Sequence, residues 1–282
     1  MSSLHNGQWQ IRFNIDGFPM VKIPKGFSIS KTFITDKDIW QPVKKLLGDG
    51  DANTKLAKSN KYSTDYRTYG LTLAPSTQSG FNTCLYATHD CKNACLDNTG
   101  LRSVFPAIHL GKIARTVLLF QEEQWFIDTL IKELGNKQKT AQRNNHIPAI
   151  RLNVMSDIAW EEYGLIDQFP GITFYDYTKN RRRIGAVREN YWLTFSRSGR
   201  NERACLSALR HGNNVAVVFA DSRGKRFTEL PKTYKGFEVI DGDTTDLRFT
   251  DKRGVVVGLK LKASSTKEYQ SALQSPFPVI VN

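Results

Sequence analysis

Short runs dense in apolar residues punctuate the chain from Gly70 onward, and each is of strand length. They are Gly70–Pro75, Ile147–Val154, Ile172–Tyr177, Tyr191–Ser196, Asn214–Ala220, Phe237–Ile240 and Gly254–Leu261. Between them lie stretches whose apolar residues recur every three or four positions, the spacing of one helix face. These predict helices over Ser103–Phe120, Gln124–Leu134, Asp157–Asp167 and Asn201–His211. Ser156 or Asp157 stands where the third helix needs an N-cap. Gly212 stands where the fourth needs a C-terminal stop. Upstream, Phe13–Ile23 alternates around Gly17 and Pro19 as a hairpin does. Asp36–Leu47 has helical spacing and ends at Gly48 and Gly50, and Asn53–Thr64 reads as a polar loop or weak helix.

Strands alternating with helices predict an α/β fold with a mostly parallel sheet. Strands in this number and at this spacing suit a (β/α)-barrel-like domain, partial or complete. A doubly wound open sheet is the alternative. The expected organisation is an N-terminal extension over residues 1–52, hairpin plus short helix, followed by one barrel-like domain over 53–282 that carries a cysteine-rich loop. In either fold functional groups gather at the carboxyl ends of the strands, and this ranks the polar residues below.

Composition changes the picture little: 40% hydrophobic and 24% charged residues are those of a globular chain. No apolar run approaches the ~18–20 residues of a membrane span. Residues 1–7 lack the charged and apolar regions of a secretory signal, so the expected compartment is the cytoplasm. Charge changes it more. Forty Lys and Arg against 27 Asp and Glu give a net charge of +13. Such a surface attracts polyanions, chiefly nucleic acid or nucleotides, although the excess can equally be a dispersed solubility bias. The densest basic run, Lys179–Arg183, is either a phosphate clamp or a solvated loop.

The sharpest local signal is three cysteines within twelve residues, Cys84, Cys91 and Cys95, in the loop after the first of these strands. Thiolates this close commonly share a metal. A three-cysteine iron–sulfur cluster leaves one iron open to substrate or S-adenosylmethionine. Zinc is the alternative, with Cys205, His89 or Asp90 as fourth ligand, and buried unliganded thiols are the plain reading. The spacing matches neither paired CxxC zinc motifs nor the CxxxCxxC loop of radical enzymes. Asn153, Ser156 and Asp157 fall at the end of the next strand, where they can grip a ribose or an amino group of a cofactor. Ser156 and Asp157 can equally cap a helix. Alternation places Tyr175, Tyr177 and Lys179 on one face and Asp176 and Thr178 on the other, and Arg197 closes the strand after. Tyr177, Lys179 and Arg197 are therefore the candidate substrate-lining, catalytic set. Asp241, Asp243 and Asp246 form either a divalent-ion site or a turn. Phosphate-loop, dinucleotide-binding, zincin and nucleophile-elbow motifs are absent from the sequence.

Taken in order, Leu71–Pro75, Ser79–Cys84, Cys91–Cys95, Arg151–Asn153, Ser156–Glu161, Phe174–Lys179, Leu193–Arg197, Asn214–Phe219, Val239–Asp243, Asp246–Phe249 and Gly254–Lys260 resemble a protein family of bacteriophages and mobile elements. More distantly they resemble the phage gene-product-88 family, which has a similar cysteine loop and a Phe-Tyr-x-Tyr-Thr-Lys strand. The likeness spans about residues 53–262. Members read Cys-Pro-Phe-Ala at the first cysteine, where this chain reads Cys84-Leu-Tyr-Ala. The resemblance implies a phage protein in the cytoplasm of an infected bacterium and a single shared domain, and it implies no reaction. A cysteine loop after the first strand of an α/β barrel is analogous to radical S-adenosylmethionine enzymes, and such analogy does not establish function. Two expectations follow. One is an iron–sulfur enzyme, with S-adenosylmethionine at Asn153, Ser156 and Asp157, acting on a nucleotide or nucleic acid. The other is a zinc-stapled nucleic-acid-binding protein without catalytic activity.

Overall fold

The structure, a computed structural model, describes residues 9–30, 33–95, 105–185, 188–224 and 229–281. The chain opens with β1 (Gln10–Phe13) and β2 (Pro19–Ile23), the expected hairpin. Its turn is set by Asn14, whose side chain accepts from the Phe18 N–H at 2.7 Å, and by Gly17 at φ 77°. A small ribbon follows, β3 (Ser28–Ser30) with β4 (Phe33–Ile34).

The helix expected over Asp36–Leu47 does not form. Ile39–Pro42 is instead β5, an antiparallel partner of β2, and Leu47–Asp49 is β6. Pro42 has no N–H to continue a helix. Val43, Leu46 and Leu47, spaced as if on a helix, are buried by the turn between the two strands. Glu133 fixes that turn, its two carboxylate oxygens accepting from the N–H groups of Leu46 and Leu47 at 2.8 and 2.7 Å. The polar stretch after it is a helix, α1 (Thr54–Tyr62).

The main sheet then builds in chain order. After β7 (Tyr66–Leu71) come the cysteine loop, the short α2 (His89–Asn93), and the long α3 (Pro106–Gln121) and α4 (Glu123–Arg143). β8 (Ile147–Arg151), β9 (Thr173–Thr178), β10 (Tyr191–Ser196), α5 (Glu202–Arg210) and β11 (Val215–Asp221) follow. The chain ends with β12 (Thr233–Tyr234), β13 (Phe237–Asp241), β14 (Val256–Lys260), α6 (Thr266–Leu273) and β15 (Val279–Val281). Ten strands make one sheet in the order β12-β13-β14-β11-β10-β9-β8-β7-β6, with β15 beside β11. Every pairing from β7 to β13 is parallel, and only the edge strands β6 and β12 run antiparallel. The architecture is thus mixed α/β, with β7 to β11 laid side by side in sequence order. The sheet does not close, because β6 and β12 are its free edges.

Alternation along the strands sorts residues to two faces. On one face Leu71, Ile150, Leu152 and Phe174 pack against Ile113, Val117, Phe126 and Leu130 of α3 and α4. Further along it, Phe195, Val215, Val217 and Phe219 pack against Cys205, Ala208 and Leu209 of α5. Burying a side chain such as Phe174, fully enclosed here, contributes about 2–3 kcal/mol. The other face carries Ala149 and Tyr175, covered by Leu56 of α1 and by Leu247. The helix expected over Asp157–Asp167 is reduced to one 3₁₀ turn, Trp160–Tyr163, ending at the left-handed Gly164. The side chains that should cap it are engaged elsewhere, as follows.

Candidate functional site

Polar side chains collect at the carboxyl ends of β7 to β10, under the cysteine loop. The loop is pinned at three points. Thr83 donates its hydroxyl to the Ala74 carbonyl at 2.7 Å, and its own carbonyl accepts from the Asp157 N–H at 2.8 Å. Cys84 Sγ accepts from the Ser76 N–H at 3.3 Å and lies 3.6 Å from the Met155 carbonyl. Thr88 caps α2 by accepting from the Cys91 N–H at 3.2 Å, and gives its proton to the Ser198 carbonyl at 2.9 Å. The loop thus bridges the end of β7 to the end of β10. Arg200, mostly exposed, clamps it there through the buried Asp90 at 3.2 Å.

Lys179, half-buried just past β9, comes up beneath this loop. Its N–H donates to Asp157 Oδ2 at 2.8 Å. Burial pulls the lysine pKa down, but Cys91, Asp157 and Cys84 outweigh it and hold the ammonium above its ordinary range. Burial pushes the Cys84 thiol up.

Beside it lies a buried polar network. Arg183, the last of the basic run, is 4% exposed in its side chain. It meets Asp157 at 2.9 Å, Glu161 at 2.6 and 2.9 Å, and the Tyr191 hydroxyl at 2.8 Å. Burial works against its charge, and Tyr191, Glu161 and Asp157 keep it protonated. Tyr191 donates a hydrogen bond from its hydroxyl to Asp176 at 2.9 Å. Burial pushes Asp176 up to about 7, against the opposing pull of Arg151, the Asn153 N–H, Arg183 and Tyr191. Of the basic run, only Arg181 and Arg182 are exposed.

Asn153 has no polar capacity left for a cofactor. Its N–H and Nδ2 donate to Asp176 at 2.7 and 3.2 Å, and Nδ2 also donates to the Ile158 carbonyl at 2.9 Å. Its Oδ1 accepts from Ser156, the Ile158 N–H and Trp160 Nε1 at 2.8, 2.9 and 3.2 Å. These bonds account for both amide protons and the carbonyl lone pairs. They also explain the missing helix: Ser156 serves Asn153 and Asp157 serves Lys179 and Arg183, so neither caps.

The structure separates the catalytic trio expected from alternation. Lys179 meets the thiols. Tyr177 lies under Arg151, 4.6 Å from guanidinium to ring centroid, and donates to Asp246 at 3.2 Å. Arg197 binds Glu202 at 2.6 Å and the Pro276 and Phe277 carbonyls at 3.0 and 2.7 Å, so it anchors the segment after α6. Cys205 packs in the core against α5's strands, its thiol pushed up to about 12 by burial. Asp243 holds the Lys260 N–H at 2.9 Å and Lys262 at 2.7 Å, whereas Asp246 pairs with Arg151, so the Asp241–Asp246 segment behaves as a turn. Among the described residues no three Cys, His, Asp or Glu side chains are grouped to hold a metal ion. Sequence reasoning missed the burial of Arg183. No local signal marked it: its partners Asp157 and Glu161 lie 26 and 22 residues upstream, and a run of arginines reads as surface.

Fold and site together define an α/β protein with an open, mostly parallel sheet whose polar groups concentrate at the strands' carboxyl ends. The chain belongs to the Gene product 88 family, a phage gene-product family whose profile matches residues 44–273. The match extends beyond the stretch expected from the motifs at both ends. No curated protein and no solved structure matches the chain.

Proposed function

We propose that the protein is a thiol-dependent enzyme of the infected host's cytoplasm, acting on a nucleotide or nucleic acid at the carboxyl edge of β7 to β10. The observation that carries this reading is the approach of Cys84 and Cys91, from one loop, to the Lys179 ammonium at the end of a different strand. An adjacent ammonium favours the thiolate, the nucleophilic and metal-binding form of cysteine. The sequential order of β7 to β11 supports a partial (β/α) barrel, a fold in which this edge is the reactive one.

An iron–sulfur cluster, or zinc, would need Cys84, Cys91 and Cys95 together. The described residues assemble no such donor set, and the ammonium faces two of the thiols. S-adenosylmethionine finds no unspent group on Asn153. These residues as arranged do not fit either group.

Support for the substrate class comes from charge. The acids of this edge are engaged: Asp157 and Glu161 by Arg183, Glu202 by Arg197, Asp90 by Arg200. Lys92, Arg181, Arg182 and Arg203 stay exposed, with no ion pair among the described residues. Uncompensated bases around a site attract phosphates. The same observation favours a second reading, a nucleic-acid-binding protein without catalysis. Either predicts affinity that falls steeply with salt.

The test is alkylation of Cys91 by iodoacetamide across pH, read by mass spectrometry, in the wild type and Lys179→Met. Loss of the ammonium near the thiol should change the rate of its alkylation. Identical profiles would remove the lysine from the thiol chemistry. Metal analysis and a visible spectrum on protein purified without oxygen accompany it. Stoichiometric iron and sulfide, or one zinc, would replace the free-thiol reading by a metal centre.

A further inference from the structure

On the sheet face away from α3 and α4, buried hydrogen-bond donors outnumber acceptors. Arg151 ends β8, Tyr175 and Tyr177 lie on β9, and Asp246 and Arg248 follow β13. Asp246 is fully buried and spent: it accepts from Arg151 Nη1 at 2.8 Å and from Tyr177 at 3.2 Å. Its N–H is tied to Ser59 at 2.8 Å. Arg248, 1% exposed in its side chain, gives Nη2 to the Thr245 carbonyl at 2.6 Å.

Four donors then remain without an acceptor among the described residues: Arg151 Nε, Arg248 Nε, Arg248 Nη1 and the Tyr175 hydroxyl. Arg151 Nε is 4.0 Å from Asp176, and Arg248 Nη1 is 3.3 Å from Asp251 without the alignment of a hydrogen bond. The groups form one cluster. Arg151 feels the charge of Asp246, Tyr177, Asp176 and Tyr175, and Arg248 feels Tyr177, Asp251, Asp246 and Tyr175. Buried polar groups in folded proteins are nearly always satisfied, and four unspent donors in one place are a departure. Water is a poor remedy. Each molecule brings two protons of its own, and among the described residues only two buried side-chain oxygens here, Asp251 Oδ2 and the Tyr175 hydroxyl, are unsatisfied and could accept them. An oxyanion accepts from several donors and brings no proton. Burial already pushes Asp251 up to about 6, so it can take up a proton as an anion arrives beside it.

We propose that Arg151, Arg248 and Tyr175 form a ligand site for one oxyanion group, a phosphate or a carboxylate, entering past the partly exposed Tyr177 and Arg151. The site is on the opposite face from α3 and α4 and stands whether or not the thiols react. The experiment is calorimetric titration of the full chain with inorganic phosphate and, separately, acetate at fixed ionic strength. One of the two should bind at one per chain, and which one it is distinguishes the phosphate from the carboxylate source. Tyr175→Phe keeps the ring and removes one donor, so it should weaken that anion about tenfold or more. The melting temperature of Tyr175→Phe without anion, expected at or above the wild type, controls for folding. Binding of neither anion to the wild type, or equal binding to a folded Tyr175→Phe, would overturn the proposal.

Discussion

Replacing Arg183 with methionine tests whether the site is held by a buried ion network. The guanidinium is 4% exposed, and its partners Asp157 and Glu161 are 7% and 11% exposed. At about 3 Å and an effective dielectric constant of ~20, each contact is worth about 5 kcal/mol of Coulomb energy, most of it offset by desolvation. What the variant loses is the compensation: Glu161 stays enclosed without its cation and Asp157 keeps only the charge of Lys179 nearby, which costs about 3–5 kcal/mol. Lys252 and Glu238 form the control, an ion pair of similar length at 3.1 Å but 72% and 53% exposed. Lys252→Met should cost no more than about 1 kcal/mol. In thermal melts followed by circular dichroism, a chain of this size loses about 2–4 °C per kcal/mol. Arg183→Met should therefore melt about 10 °C lower, and Lys252→Met within a few degrees of wild type. Equal, small losses in both would show that burial of the Arg183 network does not matter, and would refute the reasoning.

Two further outcomes are expected. Asp176 has its pKa raised from 3.8 to about 7 by burial, so the fold holds its proton more tightly than the unfolded chain does. Its stabilising effect is full below about pH 4, is lost as pH rises through about 7, and amounts to about 4 kcal/mol. Urea unfolding of wild type and Asp176→Asn at pH 4, 5.5 and 7.5 should show a stability difference that changes with pH, and a constant difference would count against it. Gly199 sits at φ 89°, and a Cβ there would lie 2.7 Å from the Pro276 carbonyl oxygen. Gly199→Ala should cost about 1–3 kcal/mol and loosen the segment Arg197 anchors, seen as faster amide exchange after α6; unchanged exchange would show that the segment is held otherwise.

The two buried networks explain why local signals misled in one place. Ser156 and Asp157 have the chemistry of an N-cap, and the apolar spacing behind them is helical. Tertiary partners offered them more: Asn153 accepts the Ser156 proton, and Asp157 meets both the Lys179 N–H and Arg183. A charge-assisted bond to a buried guanidinium outcompetes a cap.

The sequence by itself determined the elements whose causes are local. Strand-length apolar runs became β8, β9, β10, β11 and β14, and Gly212, at φ 76°, ends α5 where expected. It also placed the cysteine loop after the first parallel strand. Only the tertiary structure decided that Ile39–Pro42 and Leu47–Asp49 are strands, because pairing with β2 and β7 is what selects them over a helix. It alone set Cys84 and Cys91 against Lys179, buried Arg183, and moved Tyr177 and Arg197 to other duties. Those outcomes depend on which strands become neighbours and on which charges must find partners once water is excluded, and neither is written in the spacing of residues along the chain.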